Sequence, residues 1–522
     1  MKVIIIGAGP AGLTTAYTIL KNNTNCEVVI LESDNMVGGI SKTITYNNNK
    51  MDLGGHRFFS KSEVINDLWK ELLPIQGKQS IDDKLTGNTK PVYKKGPNPE
   101  KEDRVFLIRN RVSRIYYNRK FFDYPVSLTF KTIKLMGVKN TMIVGFSYLK
   151  SIFIKKKEVN LENFYINRFG KKLYEMFFRD YTEKLWGRKP SEIDASWGKQ
   201  RVKGLSIIKL ISSYLKKVFR IKEKSKETSL IESFYYPKYG PGEMWDEMKN
   251  EIEKMGGKIL FGYNVVKIKK QKNTIQSVVC EHNNKKETIE GDVFVSSMPI
   301  KDLISGLNNV SQNVKKIALG LPYRDFMTIG LILKKINLNN NTNMKTVNNI
   351  LPDCWIYVQE SDVKMGRIQI FNNWSPYLVS DFKNTISLGL EYFCNENDDL
   401  WNLDDSKFKE LAVKELIDMN IVDSEKDVVD YHVERVKKAY PAYFDTYNDF
   451  DVVKKYLLSI DNLYCVGRNG QHRYNNMDHS METGILAAQN ILGIKNNKEE
   501  IWNVNCEEEY HEAKIEKVSS KN

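Results

Sequence analysis

The chain has 522 residues, 41% of them hydrophobic, 28% charged and only 14 proline, which excludes a disordered, collagen-like or disulfide-scaffold protein and fits about three to four domains or one large discontinuous fold. Lysine and arginine number 79 against 65 acidic residues, a formal charge of +14 that favours anionic partners without naming the anion. Cys26, Cys280, Cys354, Cys394, Cys465 and Cys506 lack metal-ligand or disulfide spacing, so no metal site and a reducing, cytoplasmic location are expected.

Val3-Ile4-Ile5-Ile6 is a continuous apolar run that predicts a buried parallel strand, and Gly7-Ala8-Gly9-Pro10-Ala11-Gly12 turns it into a helix carrying Leu13, Ala16, Tyr17 and Leu20. A second strand, Val28 to Leu31, ends at Glu32. The three glycines have separate tasks: Gly7 makes the tight turn, Gly9 lets backbone approach a pyrophosphate, and Gly12 lets helix pack on strand. The helix N-terminus offers an anion site, and Glu32 stands where a carboxylate accepts from ribose hydroxyls. Strand, glycine turn, helix and acid together predict dinucleotide binding rather than a bare structural turn. Further on, Val37-Gly38-Gly39 and Asp52-Leu53-Gly54-Gly55-His56 contain paired glycines that let backbone pass close to a flat cofactor.

Residues 75–103 are polar and aperiodic, the pattern of an exposed insertion or a long loop outside the core. From about Ser127 to Ile231 the spacing is mostly helical. Lys139, Asn140 and Lys150 interrupt the apolar stretch Leu135 to Ile154, so no spanning helix is expected, and no secretory signal is read at the N-terminus. Phe177 and Tyr181 are four residues apart and would share a helix face, either as ordinary core aromatics or as a platform for a planar base, with Trp186 near the helix end. The basic stretch Lys209 to Lys226 has an amphipathic pattern that leaves peripheral membrane contact open beside a solvated helix packed on its own domain. No nucleic-acid motif is present. Strands follow at Lys258 to Phe261, Val265 to Lys269, Ile275 to Cys280 and Val293 to Ser297, then around Thr328 to Leu333, Arg367 to Phe371 and Ile386 to Tyr392. The last strand is Leu463 to Val466, with a helix from about Ser480 to Leu492, and the charged tail after Gly493 is expected to be solvent-exposed.

The N-terminal unit, the paired glycines, Gly291-Asp292 and the segment from Val466-Gly467-Arg468 to Met477-Asp478 resemble the FAD-binding amine oxidase and mutase superfamily. Within it, Gly54-Gly55-His56 with Tyr124-Pro125, then Tyr181-Thr182-Glu183-Lys184-Leu185-Trp186-Gly187, then Gly467-Arg468 with Arg473-Tyr474 and Met477-Asp478 look like UDP-galactopyranose mutase, in matching chain order. The resemblance implies an α/β fold: a discontinuous Rossmann-like FAD-binding domain from 1–60, 240–300 and 455–495, an inserted helical domain at 105–235, a mixed α+β sheet substrate domain at 301–454 and a tail at 496–522. It implies FAD contacts from Gly7, Gly9, Pro10, Ala11, Gly12, Glu32, Gly38, Gly39, Gly55, His56, Val265, Gly467, Arg468, Met477 and Asp478.

The same resemblance implies a sugar-nucleotide mutase that interconverts pyranose and furanose forms of a UDP-hexose for cell-surface glycan synthesis. Reduced FAD would be the covalent catalyst through its N5, with an external reductant such as NAD(P)H. Phe177 and Tyr181 would contact uridine, and Trp186 the sugar end. Arg201, Arg324, Tyr440 and Tyr474 would serve the diphosphate, and His56 would hydrogen-bond beside the flavin without acting as a base. Leu205 departs from the family pattern, which has a second arginine four residues after Arg201. The FAD motifs are shared with oxidoreductases of the amine oxidase, protoporphyrinogen oxidase and desaturase kind, so that alternative stays open. A homo-oligomer also stays open.

Overall fold

The computed structural model describes residues 1–506 apart from 24, 125, 127–129, 196 and 199–232. A five-stranded parallel sheet runs in the order Leu463–Cys465, Val293–Ser296, Lys2–Ile6, Glu27–Glu32, Lys258–Phe261. Short apolar strands of this kind need cover on both faces. Val3 and Ile5 pack with Leu13, Ala16, Leu20 and Ala487 on one side, while Ile4 and Ile6 pack with Val278, Leu303 and Leu457 on the other. The helices Pro10–Asn22 and Met477–Ile491 approach so closely that a Cβ on Gly484 would lie 2.5 Å from the Ala11 carbonyl oxygen. This is the doubly wound α/β domain expected from the first strand and its glycine turn.

A mixed seven-stranded sheet runs in the order Val428–Pro441, Tyr323–Leu333, Ile386–Cys394, Arg367–Ile370, Trp355–Val358, Ser113–Tyr117, Lys120–Asp123. Strand alternation decides what each face carries. Ile368 and Ile370 join Leu388 and Leu390 in an apolar core, which turns Arg367, Gln369 and Glu391 to the opposite face. Three two-residue hairpin loops use Asn47-Asn48, Asn118-Arg119 and Asn283-Asn284, all at positive φ. That is the type I′ geometry, and asparagine adopts it more readily than other non-glycine residues.

Three expectations change. Residues 75–103 are not an exposed insertion: Gln76, Ser80 and Asp83 are buried, Gln76 Oε1 accepts from the Ile108 N–H at 2.7 Å, and Arg109 pairs with Asp82 at 2.7 Å. Polar side chains are buried there because each has a partner, and a polar run without periodicity hides such pairing. The region 105–235 opens with strands, Phe106–Asn110, Ser113–Tyr117 and Lys120–Asp123, before helices begin. The tail is anchored up to its described end, since Glu499–Trp502 is helical and buries Ile501 and Trp502.

Asp52 gives a pH-dependent expectation. It ends the strand Asn49–Asp52, is wholly buried, and accepts from Thr43 Oγ1 at 3.0 Å and from the Tyr236 hydroxyl. Burial outweighs both donors and pushes its carboxyl up to about 7. The folded state therefore holds this proton more tightly than the unfolded chain, whose carboxyl titrates near 4. The Asp52 contribution to stability is fully present below about pH 4 and is lost as pH rises to about 7. In Asp52→Asn, the unfolding free energy measured in urea should fall less steeply between about pH 4 and 7, by up to about 1.4 kcal/mol per pH unit. Equal slopes in the two proteins would show that Asp52 does not titrate in that range.

Candidate functional site

The glycine turn is shaped for a ligand. Gly7 has φ +98° and its N–H donates to the Leu31 carbonyl at 2.8 Å. A Cβ on Gly12 would sit 2.0 Å from the Gly7 carbonyl oxygen, so that position admits only glycine. Gly9 differs: a Cβ there would meet only the Gly39 Cα, at 3.9 Å. Open space is thus held above the first turn of the helix, where Pro10, Ala11 and Gly12 lie.

Around this space the Gly38 N–H donates to the Ala8 carbonyl at 2.9 Å, and Gly467, at φ +77°, is so close that its Cβ would meet the Ala11 Cβ at 2.8 Å. One oxygen of Glu32 accepts from the Ala8 N–H at 2.6 Å and the other from the Asp34 N–H at 2.9 Å. Val265 stands at a bulge in Asn264–Gln271, next to the Glu32 strand through the Tyr263 N–H to Glu32 carbonyl bond of 2.8 Å. Met477 is buried, and Asp478 accepts from the Ser60 hydroxyl at 2.9 Å, which ties the late helix to the segment after His56. These residues fit a dinucleotide: close backbone, a helix N-terminus and an acid beside the second strand.

Further along, Gly54 is at φ +155° and Gly55 is exposed, with the Trp374 ring 3.5 Å from where its Cβ would be. Burial, with the charges of Arg468 and then Arg367, pushes His56 down to about 3. Its imidazole is therefore neutral at physiological pH.

Beside it lies a cationic, hydroxyl-rich cluster on one face of the seven-stranded sheet. Arg367 donates to the Tyr440 hydroxyl at 2.7 Å and pairs with Glu391 at 2.8 Å, while the Gln369 amide donates to Glu391 Oε1 at 3.0 Å. Arg468 donates to the Asn475 and Ala439 carbonyls at 2.9 and 3.0 Å. Its guanidinium lies 4.6 Å from the Tyr474 ring centroid, and that ring stacks on Tyr440 at 5.5 Å. Tyr181 meets Tyr357 edge-on at 5.6 Å and Phe393 at 6.4 Å. Burial holds Tyr181 and Tyr440 well above the usual phenol range, although the Arg367 charge opposes the rise in both, so both act as neutral hydroxyls.

The expected substrate residues are only partly brought together. Tyr181, Tyr440 and Tyr474 converge. Phe177 does not join them: Glu175–Arg179 is a π-helical turn, so a spacing of four no longer shares a face. Phe177 packs in the core on Phe122 and Tyr117, at 5.1 and 5.3 Å. Trp186 is buried edge-on against Trp197 at 5.5 Å, and its indole N–H has no hydrogen-bond partner among the described residues. Arg324 is committed elsewhere, donating to the Leu185, Lys184 and Phe393 carbonyls at 3.1, 3.4 and 3.1 Å, where it clamps the helix end before Gly187. Arg201 and Leu205 lie outside the described residues, as does the basic stretch 209–226. Sequence reasoning passed over Arg367, Gln369 and Glu391. Their signal was available, since a strand reading Arg-Ile-Gln-Ile and a glutamate inside Ile386–Cys394 place polar groups where apolar ones are the rule.

The NAD(P)-binding Rossmann-like domain family matches residues 5–72. Among solved structures, a reduced UDP-galactopyranose mutase superposes with TM-score 0.75 at 21% identity, over 97% of this chain and 98% of that one. The chain shares the fold of that structure along nearly its whole length. A protein assigned as a protoporphyrinogen oxidase from Exiguobacterium sp. 255-15 gives TM-score 0.65 at 12% identity, over 95% and 99%. Putrescine oxidase with bound putrescine gives 0.58 at 12%, over 94% and 99%. No curated protein matches in sequence.

Proposed function

We propose that the chain is an FAD-dependent mutase interconverting the pyranose and furanose forms of a UDP-hexose such as UDP-galactose, acting in the cytoplasm in cell-surface glycan synthesis. The observation that carries this reading is Arg367 and Arg468 standing with Tyr181, Tyr440 and Tyr474 beside Gly54-Gly55-His56. Two guanidinium groups and several hydroxyls suit a diphosphate and a sugar, whereas a site that oxidises an apolar substrate would have apolar walls. The likeness to a mutase fold supports the same choice.

When bound and reduced by a donor such as NAD(P)H, FAD supplies the nucleophilic nitrogen for the anomeric carbon. Arg367 and Arg468, the second of which the family resemblance places at FAD, hold the diphosphate oxygens, stabilising the charge that grows as UDP leaves and keeping UDP in place for its return. The Tyr440 hydroxyl, already accepting from Arg367, can donate its own proton to a phosphate oxygen. Tyr474, stacked on Tyr440 and beneath Arg468, serves the diphosphate, and Tyr181 lines the base end. His56 stays neutral, orients by hydrogen bonding through its one ring N–H and takes no part in proton transfer.

The test is anaerobic incubation of dithionite-reduced protein with UDP-galactofuranose and UDP-galactopyranose, followed by chromatography of the nucleotide sugars. Interconversion that disappears with oxidised flavin is the expected result. No interconversion, together with no quenching of tryptophan or flavin fluorescence by UDP, would overturn the reading in favour of an oxidoreductase.

A further inference from the structure

The helix Val138–Phe153 presents an apolar stripe outward. Val138, Met142, Phe146, Leu149 and Phe153 recur at spacings of four, four, three and four, which places them along one face. All five are exposed, Phe146 at 73% and Phe153 at 83%, and Phe130 on the preceding helix joins them at 78%. The opposite side is already docked. Val144 enters the core containing Phe164 and Phe169, and the backbone at Tyr148 approaches so closely that a Cβ on Gly170 would lie 2.8 Å away. A surface helix ordinarily turns polar residues outward, and contiguous exposed apolar groups mark an interaction site.

The surrounding charge identifies the partner. Residues 124–157 contain seven lysines and neither aspartate nor glutamate. Lys139 and Lys150 lie on the helix, Lys131 and Lys134 precede it, and Lys155, Lys156 and Lys157 follow. Of these, Lys131 forms an exposed pair with Asp123 at 2.9 Å and Lys155 donates to the Asn167 carbonyl at 2.8 Å. No helix among the described residues is long and apolar enough to cross a membrane, and sixteen residues span about 24 Å.

We propose that this helix lies flat on an anionic lipid bilayer, with Phe146, Leu149 and Phe153 in the acyl boundary and the lysines at the headgroups. Aromatic and aliphatic side chains on one face with lysine flanks are the arrangement that holds a helix in the interfacial plane. Each lysine near an anionic surface adds attraction. A second copy of the chain fits less well, because a two-fold contact through this face would set lysine clusters against each other. The proposal does not depend on the reaction catalysed.

Co-sedimentation of the flavin-loaded protein with phosphatidylcholine vesicles containing about 30% phosphatidylglycerol tests it. The expected result is binding that weakens as salt rises and falls at least about tenfold in Phe146→Asp/Phe153→Asp, a loss of two buried aromatic side chains from the interface. Thermal unfolding of that variant should match wild type, since both side chains face solvent. In Phe146→Trp, brominated lipids should quench the new indole emission, which reads the position of this residue even if the aspartates disturb the fold. Absence of binding to these vesicles, or binding undiminished in the double variant with no quenching in Phe146→Trp, would overturn the proposal. So would a light-scattering dimer that the same substitutions dissociate, which would make the occupant a second copy.

Discussion

Arg367→Ala should lower kcat/KM for the interconversion by about 100- to 1,000-fold, roughly 3–4 kcal/mol of lost transition-state binding at 1.4 kcal/mol per factor of ten. The side chain does two things, and the experiment has to separate them. Its guanidinium carries positive charge to the Tyr440 hydroxyl, and it neutralises Glu391, which is 1% exposed. Burial raises the Glu391 carboxyl above its ordinary value while Arg367 and Gln369 oppose the rise. Removing Arg367 alone leaves that carboxylate with only Gln369, and a broken buried pair costs about 3–5 kcal/mol. The single variant should therefore lose thermal stability as well as activity.

Arg367→Ala with Glu391→Gln removes the orphaned charge and should recover most of the melting temperature while activity stays low. Fluorescence titration with UDP supplies the second readout: weakened binding in the stabilised double variant locates the defect at the diphosphate. If the double variant recovered full kcat/KM, Arg367 would serve only to neutralise Glu391, and Arg468 would become the leading phosphate ligand.

The parts of this protein that were legible in the sequence are those whose physics is local. Val3 to Ile6, the glycine turn and Glu32 fall within a single strand-helix-strand unit, and the constraint on each glycine acts between atoms a few residues apart, as between Gly12 and the Gly7 carbonyl. Arg367 was not legible by that route. Its position depends on register between Arg367–Ile370 and Ile386–Cys394, where Arg367 faces Glu391 and Ile368 faces Leu390, and register is a tertiary property. Arg324 shows the reverse. It stands in a stretch that resembles a diphosphate-binding one, yet distant carbonyls from Lys184, Leu185 and Phe393 occupy its donors. Phe177 and Tyr181 separate because helical spacing assumes 3.6 residues per turn, and the π-helical turn at Glu175–Arg179 violates it. The ion pairs of Asp82 with Arg109 and of Asp83 with Lys90, the latter at 2.8 Å, leave no periodic trace at all.

Gly9→Val should abolish retention of FAD through purification while leaving the protein folded. The two glycines of the turn make opposite demands. At Gly12 a Cβ collides with the Gly7 carbonyl oxygen at 2.0 Å, so enlargement there damages helix-on-strand packing directly. At Gly9 a Cβ would meet only the Gly39 Cα, at the ordinary contact distance of 3.9 Å, and its φ of −76° is open to any L-residue. The apo fold therefore tolerates a side chain at Gly9, and what the substitution removes is the space held for the pyrophosphate. A valine in that space should weaken FAD binding on the order of 100-fold or more, about 3 kcal/mol, read as the ratio of flavin to protein absorbance after gel filtration and by titration of apoprotein. Circular dichroism and the urea midpoint of the apo forms should coincide with those of wild type. Gly12→Val should lose both the cofactor and the cooperative unfolding transition. Normal flavin content in Gly9→Val would mean that the dinucleotide does not pass over this turn, and the cofactor site would have to be sought elsewhere along the carboxyl ends of the parallel strands.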